Sequence, residues 1–159
     1  MATVEVSGFG PDDRAWAYEL LFPRGTEARI ASRGKLYDPL ALPGFVAWVD
    51  GDRVGLITYR PGDWEILTLD CVRDGTGAGT ALIDAVKDVA RSHEAKSVWL
   101  ITTNDNTHAF RFYQRRGFVI REVRPGAVDR EREELKPEIP AVGNDGIPIR
   151  DEIELVVSV

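Results

Sequence analysis

Apolar residues in the first half of the chain occur in alternating or short runs, and this pattern predicts an antiparallel meander of strands. Residues 45–49 are the first of these strands. Asp50-Gly51 then predicts a tight turn into a returning strand at residues 53–59, because Asp-Gly accommodates the positive φ angles of hairpin turns. Residues 64–72, rich in Ile, Leu and Thr, predict a third strand.

Later in the chain the apolar residues recur at a spacing of three and four, which predicts two amphipathic helices separated by a strand. The first helix, of about four turns, has an apolar face made of Ala78, Ala81, Leu82, Ala85, Val86, Val89 and Ala90. Residues 97–103 predict a further strand. Because a helix separates it from the strand at residues 64–72, the two strands can run parallel. Asn106 is placed to cap the second helix and Gly117 to end it, and residues 118–123 predict the next strand.

The two ends of the chain have weaker patterns. Residues 11–13 predict a helix start, and residues 24–43 predict a second short helix followed by a loop over one edge of the sheet. The charged run at residues 129–136 is typical of a solvated helical turn, and residues 153–157 predict a closing strand. No repeat or linker divides the sequence, so we predict a single domain over residues 1–159.

Composition and charge exclude several classes of protein. Hydrophobic residues make up 43% of the chain, which is enough for a packed core and excludes a disordered protein. A net charge of −6 argues against a broad nucleic-acid footprint and favours a cationic partner. We expect no metal and no nucleic-acid partner. The sequence leaves the oligomeric state open, with a homodimer as one option.

Cysteine usage and hydropathy indicate the compartment. Cys71 has no second cysteine with which to form a disulfide or a zinc site, which favours a reducing environment. No apolar run approaches the roughly 18 residues of a membrane helix, and the first residues lack a basic stretch followed by an apolar one. We therefore predict a cytoplasmic protein without membrane association.

A glycine-rich stretch lies between the third strand and the first amphipathic helix, and its residues are Asp74, Gly75, Thr76, Gly77, Ala78, Gly79 and Thr80. Glycines allow successive amides to point into one concavity, and the helix start adds partial positive charge, so the loop favours a phosphate or pyrophosphate. The alternative is a tight connection without a ligand. Thr80 stands where the dinucleotide fingerprint needs its third glycine, and no Gly-Lys-Ser/Thr triplet follows, so neither common phosphate loop matches.

Two motifs resemble those of the GCN5-related N-acetyltransferases. The family's pyrophosphate loop has Arg or Gln, two residues, Gly, one residue, then Gly or Ala, and Asp74, Gly77 and Gly79 occupy these positions. A second family signature is similar to this chain at Asn106, Ala109, Phe112, Tyr113, Gly117 and Phe118. The resemblance covers nearly the whole chain and implies the family's α+β fold, a three-layer arrangement with a mixed central sheet and helices on both faces. Residues 135–155 are similar to the tail of some uncharacterised bacterial members.

Asp74 departs from the family pattern, because it stands where the family usually has Arg or Gln. A carboxylate beside a pyrophosphate is electrostatically unfavourable, and Arg73 next to it could compensate. Since backbone amides are the main donors of such a loop, we expect weaker cofactor binding rather than none.

The resemblance implies acetyl-CoA as cosubstrate, with its pantetheine arm lying like an added strand between the two strands that flank the first helix. It implies that the backbone of Leu69 and Cys71 bonds this arm, and that an amide there polarises the thioester carbonyl. Asn106 and Phe112 are then further cofactor contacts, although Asn106 alone is explained as a helix cap. A covalent acetyl-cysteine at Cys71 is disfavoured because no His lies near it in the sequence.

Tyr113 is the candidate general acid of the implied reaction. The reaction expels a thiolate, and a phenol with a reference pKa near ~10 aimed at the sulfur can supply the proton. Taken outside the motif, Tyr113 is better explained as a core aromatic residue beside Phe112, and the motif reverses this preference.

The attacking amine must lose its ammonium proton, so a carboxylate or a water chain is also needed. Glu65 stands where several family members carry their general base, and Asp70 could face the acceptor if a bulge resets the parity of the strand. Both could instead be solvated carboxylates, with another residue or water as the base. We assign no catalytic role to His93 or His108.

Together these residues predict an acetyl-CoA-dependent N-acetyltransferase in which a bound primary amine attacks the thioester directly. The acceptor stays open between a polyamine, an antibiotic amine, an amino acid and a protein N-terminus, and its pocket walls are expected from residues 24–43 and 125–152. A non-catalytic module that binds CoA or an acyl-CoA is the alternative, which Asp74 keeps open. A dinucleotide-binding domain has the wrong glycine spacing and no preceding meander.

Overall fold

The computed structural model describes residues 2–159. Within that range the chain forms the strands β1 (Glu5–Gly8), β2 (Ile30–Ser32), β3 (Lys35–Tyr37), β4 (Gly44–Val49), β5 (Asp52–Arg60), β6 (Glu65–Cys71), β7 (Ser97–Thr103), β8 (Val119–Arg124) and β9 (Glu152–Ser158). The α-helices are α1 (Arg14–Leu21), α2 (Ala78–Ser92), α3 (Thr107–Arg115) and α4 (Ala127–Glu134), and short 3-10 helices lie at Pro11–Asp13, Pro39–Ala41 and Asn144–Gly146. Seven of the strands belong to a mixed sheet, and β2 pairs with β3 in a separate ladder. The predicted α+β fold is therefore confirmed.

The chain divides into two compact units, the first containing Asp38–Val98 with the residues before Ala31, and the second containing Ala31–Tyr37 with Trp99–Ser158. In the first unit β1, β4, β5 and β6 are neighbours in that order and run antiparallel. Asp50 and Gly51 have φ angles of 51° and 80°, so the predicted hairpin turn between β4 and β5 is confirmed.

Helices α1 and α2 cover opposite faces of the strands of the first unit. On one face Ala17 of α1 packs in a buried cluster with Leu40, Val46 and Leu56. On the other face Gly55 brings the backbone of β5 close to α2, and a Cβ atom there would lie 3.0 Å from Cδ1 of Leu82. Neighbouring residues of a strand project to opposite faces, so Leu56 faces α1 and Gly55 faces α2.

A β-bulge interrupts the pairing of β5 with β6. Thr58 pairs with Thr68, whereas Tyr59 pairs with Ile66, so Leu67 is an extra residue in β6. Residues directly opposite each other in an antiparallel pair share a face, and the hydroxyls of Thr58 and Thr68 are accordingly 2.7 Å apart. The extra residue reverses the alternation of β6 beyond this point.

In the second unit β9 lies between β7 and β8, and β8 runs antiparallel to β9. The short helix predicted at the start of residues 24–43 is wrong, because β2 and β3 form a hairpin whose turn residues Arg33 and Gly34 have φ angles of 49° and 76°. The helical turn in this range is a 3-10 helix at Pro39–Ala41. The charged run at residues 129–136 lies largely in α4, as predicted, but its Glu131 is buried rather than solvated.

Candidate active site

The glycine-rich loop joins β6 to α2, and its backbone requires glycine at two positions. Gly75 and Gly77 have φ angles of 73° and 84°, in the left-handed region that other residues rarely adopt. A Cβ atom at either position would meet no heavy atom within 4 Å in the described chain, so conformation rather than crowding selects glycine. The space over both glycines is therefore open to a ligand.

The same loop also begins α2. Gly77 is the N-cap residue, Ala78 and Gly79 are buried in the first turn, and Thr80 follows them. The amide of Ala78 donates to Oγ1 of Thr76 at 3.2 Å, which orders the loop against the helix. The first amides of a helix and the partial positive charge at its N-terminus suit an anion such as a pyrophosphate.

Arg73, which precedes Asp74 in the chain, forms an exposed ion pair with Asp52. The Nη2 atom of Arg73 lies 2.9 Å from Oδ2 of Asp52, and both side chains are exposed. The negative charge of Asp74 contributes to raising the pKa of the Cys71 thiol. The loop thus keeps a carboxylate at the position where the family pattern has Arg or Gln.

Leu69 and Cys71 lie on β6 with their side chains on the face that α2 covers. Although the side chain of Cys71 reaches solvent, reduced hydration and the charges of Asp70 and Asp74 raise the pKa of its thiol to about 11. The thiol is therefore neutral near pH 7 and a poor nucleophile. A covalent acetyl-cysteine at Cys71 therefore stays disfavoured.

The two candidate bases, Glu65 and Asp70, share one face of β6 because of the bulge at Leu67. Glu65 lies opposite Arg60 and Asp70 opposite Leu56, which belongs to the cluster beneath α1. Five positions separate the two carboxylates in the sequence, so a regular strand would place them on opposite faces. The bulge that Asp70 needs in order to share this face is present.

The two carboxylates differ in their surroundings. Glu65 is 1% exposed, and its Oε1 atom accepts a hydrogen bond from Nε of Arg60 at 2.9 Å. The side chain of Asp70 reaches solvent, yet the surrounding protein removes enough hydration to raise the pKa of its carboxyl group. Asp70 thus combines access with increased basicity.

Helix α3 begins and ends where the sequence predicts. Oδ1 of Asn106 accepts from the amide of Ala109 at 3.3 Å, which caps the N-terminus. At the C-terminus Gly117 has a φ angle of 90°, and the amide of Phe118 donates to the carbonyl oxygen of Tyr113 at 3.1 Å. Together with the bond from the amide of Gly117 to Gln114, this is a Schellman motif.

The Schellman motif brings Phe118 back to Tyr113, and the rings of the two residues are in contact. Tyr113 is buried, and its ring lies 5.6 Å from that of Phe112 in an edge-on arrangement and 5.5 Å from that of Phe118. The guanidinium of Arg116 covers the ring of Phe112 at 3.4 Å. The candidate acid is therefore part of a rigid aromatic group, whereas His93 and His108 are both exposed.

A buried cluster of charged residues in the second unit was not predicted. Glu131, Glu152 and Glu154 are 8%, 2% and 1% exposed. Glu154 is paired with Arg33 and with Arg121, each at 2.7 Å. The alternation of Glu and apolar residues in β9 is typical of a half-solvated strand, so sequence patterning gave no signal for this burial.

Two kinds of site are absent from the described residues. Among residues 2–159 no group of three or more His, Cys, Asp and Glu side chains could hold a metal ion. None of the helices in this range has the length and apolar character that crossing a membrane requires.

Comparison with known proteins gives a family and a fold. The model of the acetyltransferase (GNAT) family matches residues 12–118. The uncharacterized protein YxbD of Bacillus subtilis (strain 168) is 41% identical over 135 residues, which cover 83% of this chain and 84% of that protein. Among solved structures, the IAA acetyltransferase from Bacillus cereus ATCC 14579 has a TM-score of 0.70 at 18% identity and covers 99% of this chain and 100% of its own. A GNAT family acetyltransferase from Elizabethkingia anophelis with acetyl-CoA bound has a TM-score of 0.67 at 17% identity, over 98% of both chains.

Proposed function

Because the chain belongs to the acetyltransferase (GNAT) family, we propose that it transfers the acetyl group of acetyl-CoA to a primary amine by direct attack of the amine on the thioester. The observation that carries the proposal is the loop between β6 and α2. Its two left-handed glycines, Gly75 and Gly77, lead directly into the N-terminus of a 15-residue helix. This arrangement suits the pyrophosphate of the cosubstrate.

The residues that would hold acetyl-CoA fit its chemistry. The amides of residues 74–80 suit the pyrophosphate, and the backbone of Leu69 and Cys71 suits the amide groups of the pantetheine arm. Asn106 and Phe112 are proposed as further contacts from the start and middle of α3. When bound, acetyl-CoA supplies an activated acyl group whose leaving group is a thiolate.

Tyr113 is proposed as the general acid. A phenol with a reference pKa near ~10 is protonated at neutral pH and can donate to a departing thiolate. The packing of Tyr113 against Phe112 and Phe118 limits the movement of its side chain, which restricts the position of its hydroxyl oxygen. A fixed donor needs little reorganisation when the carbon–sulfur bond breaks.

Asp70 is proposed as the group that takes the ammonium proton, with Glu65 as the second candidate. The acceptor enters as an ammonium ion and must lose one proton before its nitrogen forms the new amide bond. The raised pKa of Asp70 increases its basicity, and its side chain reaches solvent. Glu65 is enclosed and bonded to Arg60, which limits its access to a substrate.

The direct test is the release of free thiol from acetyl-CoA in the presence of spermidine, kanamycin, L-lysine or a pentapeptide with a free N-terminal alanine. We expect at least one amine to stimulate release, and Tyr113→Phe to lower kcat by about 10- to 100-fold while the Kd of acetyl-CoA stays unchanged. Tyr59→Phe is the matched control, because Tyr59 is a buried tyrosine of β5 outside the candidate site. Equal turnover in wild type and Tyr113→Phe would remove Tyr113 from the mechanism.

Asp74 supports a second candidate function, a module that binds CoA or an acyl-CoA without turnover. Arg73 pairs with Asp52 in this structure, and the carboxylate of Asp74 would repel a pyrophosphate bound beside it. In that case acetyl-CoA would bind in calorimetry, yet no amine would release thiol. Failure to bind acetyl-CoA at millimolar concentration would contradict both functions.

A further inference from the structure

The carboxyl group of Asp105 holds a distant segment of the second unit. Asp105 lies two residues after the end of β7 and is 4% exposed. Its Oδ2 atom accepts from the amide of Asn144 at 3.1 Å and from the side-chain amide of the same residue at 3.3 Å, while Oδ1 accepts from the hydroxyl of Thr103. All these donors are neutral, so the carboxyl is enclosed at a cost that a purely apolar packing would avoid.

Gly143 shows how closely the segment approaches Asp105. A Cβ atom at residue 143 would lie 2.1 Å from Oδ2 of Asp105 and 2.8 Å from Cγ1 of Ile149. No side chain fits there unless the segment moves. The amide of Gly143 donates to the carbonyl oxygen of Ile147 at 2.9 Å, which closes the turn on the other side.

Asn104, the preceding residue, holds the second half of the same segment. Its Oδ1 atom accepts from the amides of Arg150 and Asp151 at 2.9 and 3.0 Å, and its Nδ2 atom donates to the carbonyl oxygen of Pro148 at 2.8 Å. From α4, Arg132 donates to the carbonyl oxygens of Pro140 and Ile149 at 2.7 and 2.9 Å. Residues 140–151 are therefore fixed at both ends.

Three consecutive residues, 104–106, connect the segment at residues 140–151 with the start of α3. Asn104 and Asp105 hold residues 140–151, and Asn106 caps α3, which carries Tyr113. The amide of Thr107 donates to the carbonyl oxygen of Asp105 at 3.0 Å, so the same backbone turn serves both. The position of the segment is thus tied to the start of the helix that carries the proposed acid.

We propose that Asp105 is a positioning residue for the acceptor amine, which it serves by holding residues 141–150 as a preformed wall of the acceptor pocket. This inference rests on the proposed function. If the wall is ordered before the acceptor binds, binding does not cost the conformational entropy of ordering it. The ordered wall therefore increases the affinity for the acceptor. Acetyl-CoA is proposed to bind other residues, so its affinity does not depend on this wall.

Two variants and a control test the inference, and Asn144→Ala, which removes one side-chain donor to Asp105, is a further variant. Asp105→Asn keeps the size of the side chain but replaces one of the two accepting oxygens by an NH2 group. This group then faces a donor, either the amide of Asn144 or the hydroxyl of Thr103, and one hydrogen bond is lost. Gly143→Ala displaces the segment without altering Asp105. Asp88→Ala, at an exposed aspartate of α2, is the matched control.

For Asp105→Asn and Gly143→Ala we expect kcat/KM for the best amine of the panel to fall by about 10- to 100-fold, mainly through KM. The Kd of acetyl-CoA should stay within twofold of wild type, and hydrogen exchange should rise at residues 141–150. Hydrogen exchange is read on the folded protein without any acceptor, so a variant with weak activity is still informative. Should Asp105→Asn fail to fold, Gly143→Ala and Asn144→Ala decide the matter.

Faster exchange at residues 141–150 with an unchanged KM for the amine would overturn the inference. A loss of acetyl-CoA affinity as large as the rise in KM for the amine would also overturn it, because it would show that Asp105 acts through the cap of α3. If wild type releases no thiol with any amine, the proposed function fails and the acceptor role of Asp105 fails with it. If wild type is active and the variants retain its KM, the inference alone fails.

Discussion

Replacing Glu131 with Gln should make the protein more stable above neutral pH. The side chain of Glu131 is hydrogen-bonded to the carboxyl of Glu152 and accepts from the amide of Gly34. Glu152 is itself bound by Nε of Arg124 at 2.9 Å, so the negative charge is best placed on Glu152 and the proton on Glu131. Burial and the neighbouring Glu152 raise the pKa of Glu131 from 4.5 to about 8. An amide imitates the protonated acid, since it donates to Glu152 and accepts from Gly34.

The sign of the effect follows from the raised pKa of Glu131. A carboxyl group whose pKa is raised by folding contributes stability that is complete below its unfolded pKa of 4.5 and is lost as the pH rises toward about 8. The loss is about 1.4 kcal/mol per pH unit at most, or about 3 kcal/mol between pH 4.5 and pH 7. Gln does not titrate, so Glu131→Gln should gain on wild type by about 1 kcal/mol per pH unit over this window.

Urea unfolding followed by tryptophan fluorescence at pH 5, 6, 7 and 8 measures this difference in unfolding free energy. Glu133→Gln is the matched control, because Glu133 is an exposed residue of the same helix. The pH profile of this control is the baseline against which Glu131→Gln is compared. A pH-independent difference for Glu131→Gln would show that Glu131 is ionised in the native protein and would refute the assigned proton.

Further predictions concern the loop and the candidate bases. Gly77→Ala should cost about 1–2 kcal/mol of stability through backbone strain and should weaken acetyl-CoA binding in calorimetry; Gly62→Ala, at a similar φ of 86°, should share the strain but not the loss of affinity. Asp74→Asn should tighten acetyl-CoA binding by about two- to fivefold at low salt and less at high salt, and an unchanged Kd would contradict a pyrophosphate near residue 74. Asp70→Asn should lower kcat by about 10²-fold and remove the acidic limb of the pH–rate profile, and a larger effect of Glu65→Gln would reverse the proposed order of the two bases.

The parts of the fold that the sequence predicts well are those with local causes. Asp50-Gly51 forms the predicted hairpin turn because both residues adopt positive φ within two positions of each other. Gly117 ends α3 because a left-handed residue allows the next amide to return to the helix. In both cases the residues that decide the conformation are neighbours in the chain.

The relation between the two candidate bases depends on a feature without a local signature. Residues 65–71 read as a regular strand, and neither glycine nor proline marks the bulge at Leu67. The extra residue is visible only in the pairing with β5, yet it decides that Glu65 and Asp70 share a face. The sequence could therefore name both carboxylates but could not place them.

The buried charges of β9 escaped prediction for a related reason. Glu152 and Glu154 alternate with apolar residues, and such alternation normally marks a solvated face. A buried carboxylate is tolerated only when cations or hydrogen-bond donors enclose it. For Glu154 the cations are Arg124 and, at shorter distance, Arg33 and Arg121, which are 121 and 33 positions away in the chain. The hairpin of β2 and β3 brings Arg33 to this carboxylate. Residues 24–43 were predicted as a helix and a loop, so nothing indicated that Arg33 would reach Glu154. The missed hairpin therefore also explains why the burial of Glu154 was not predicted.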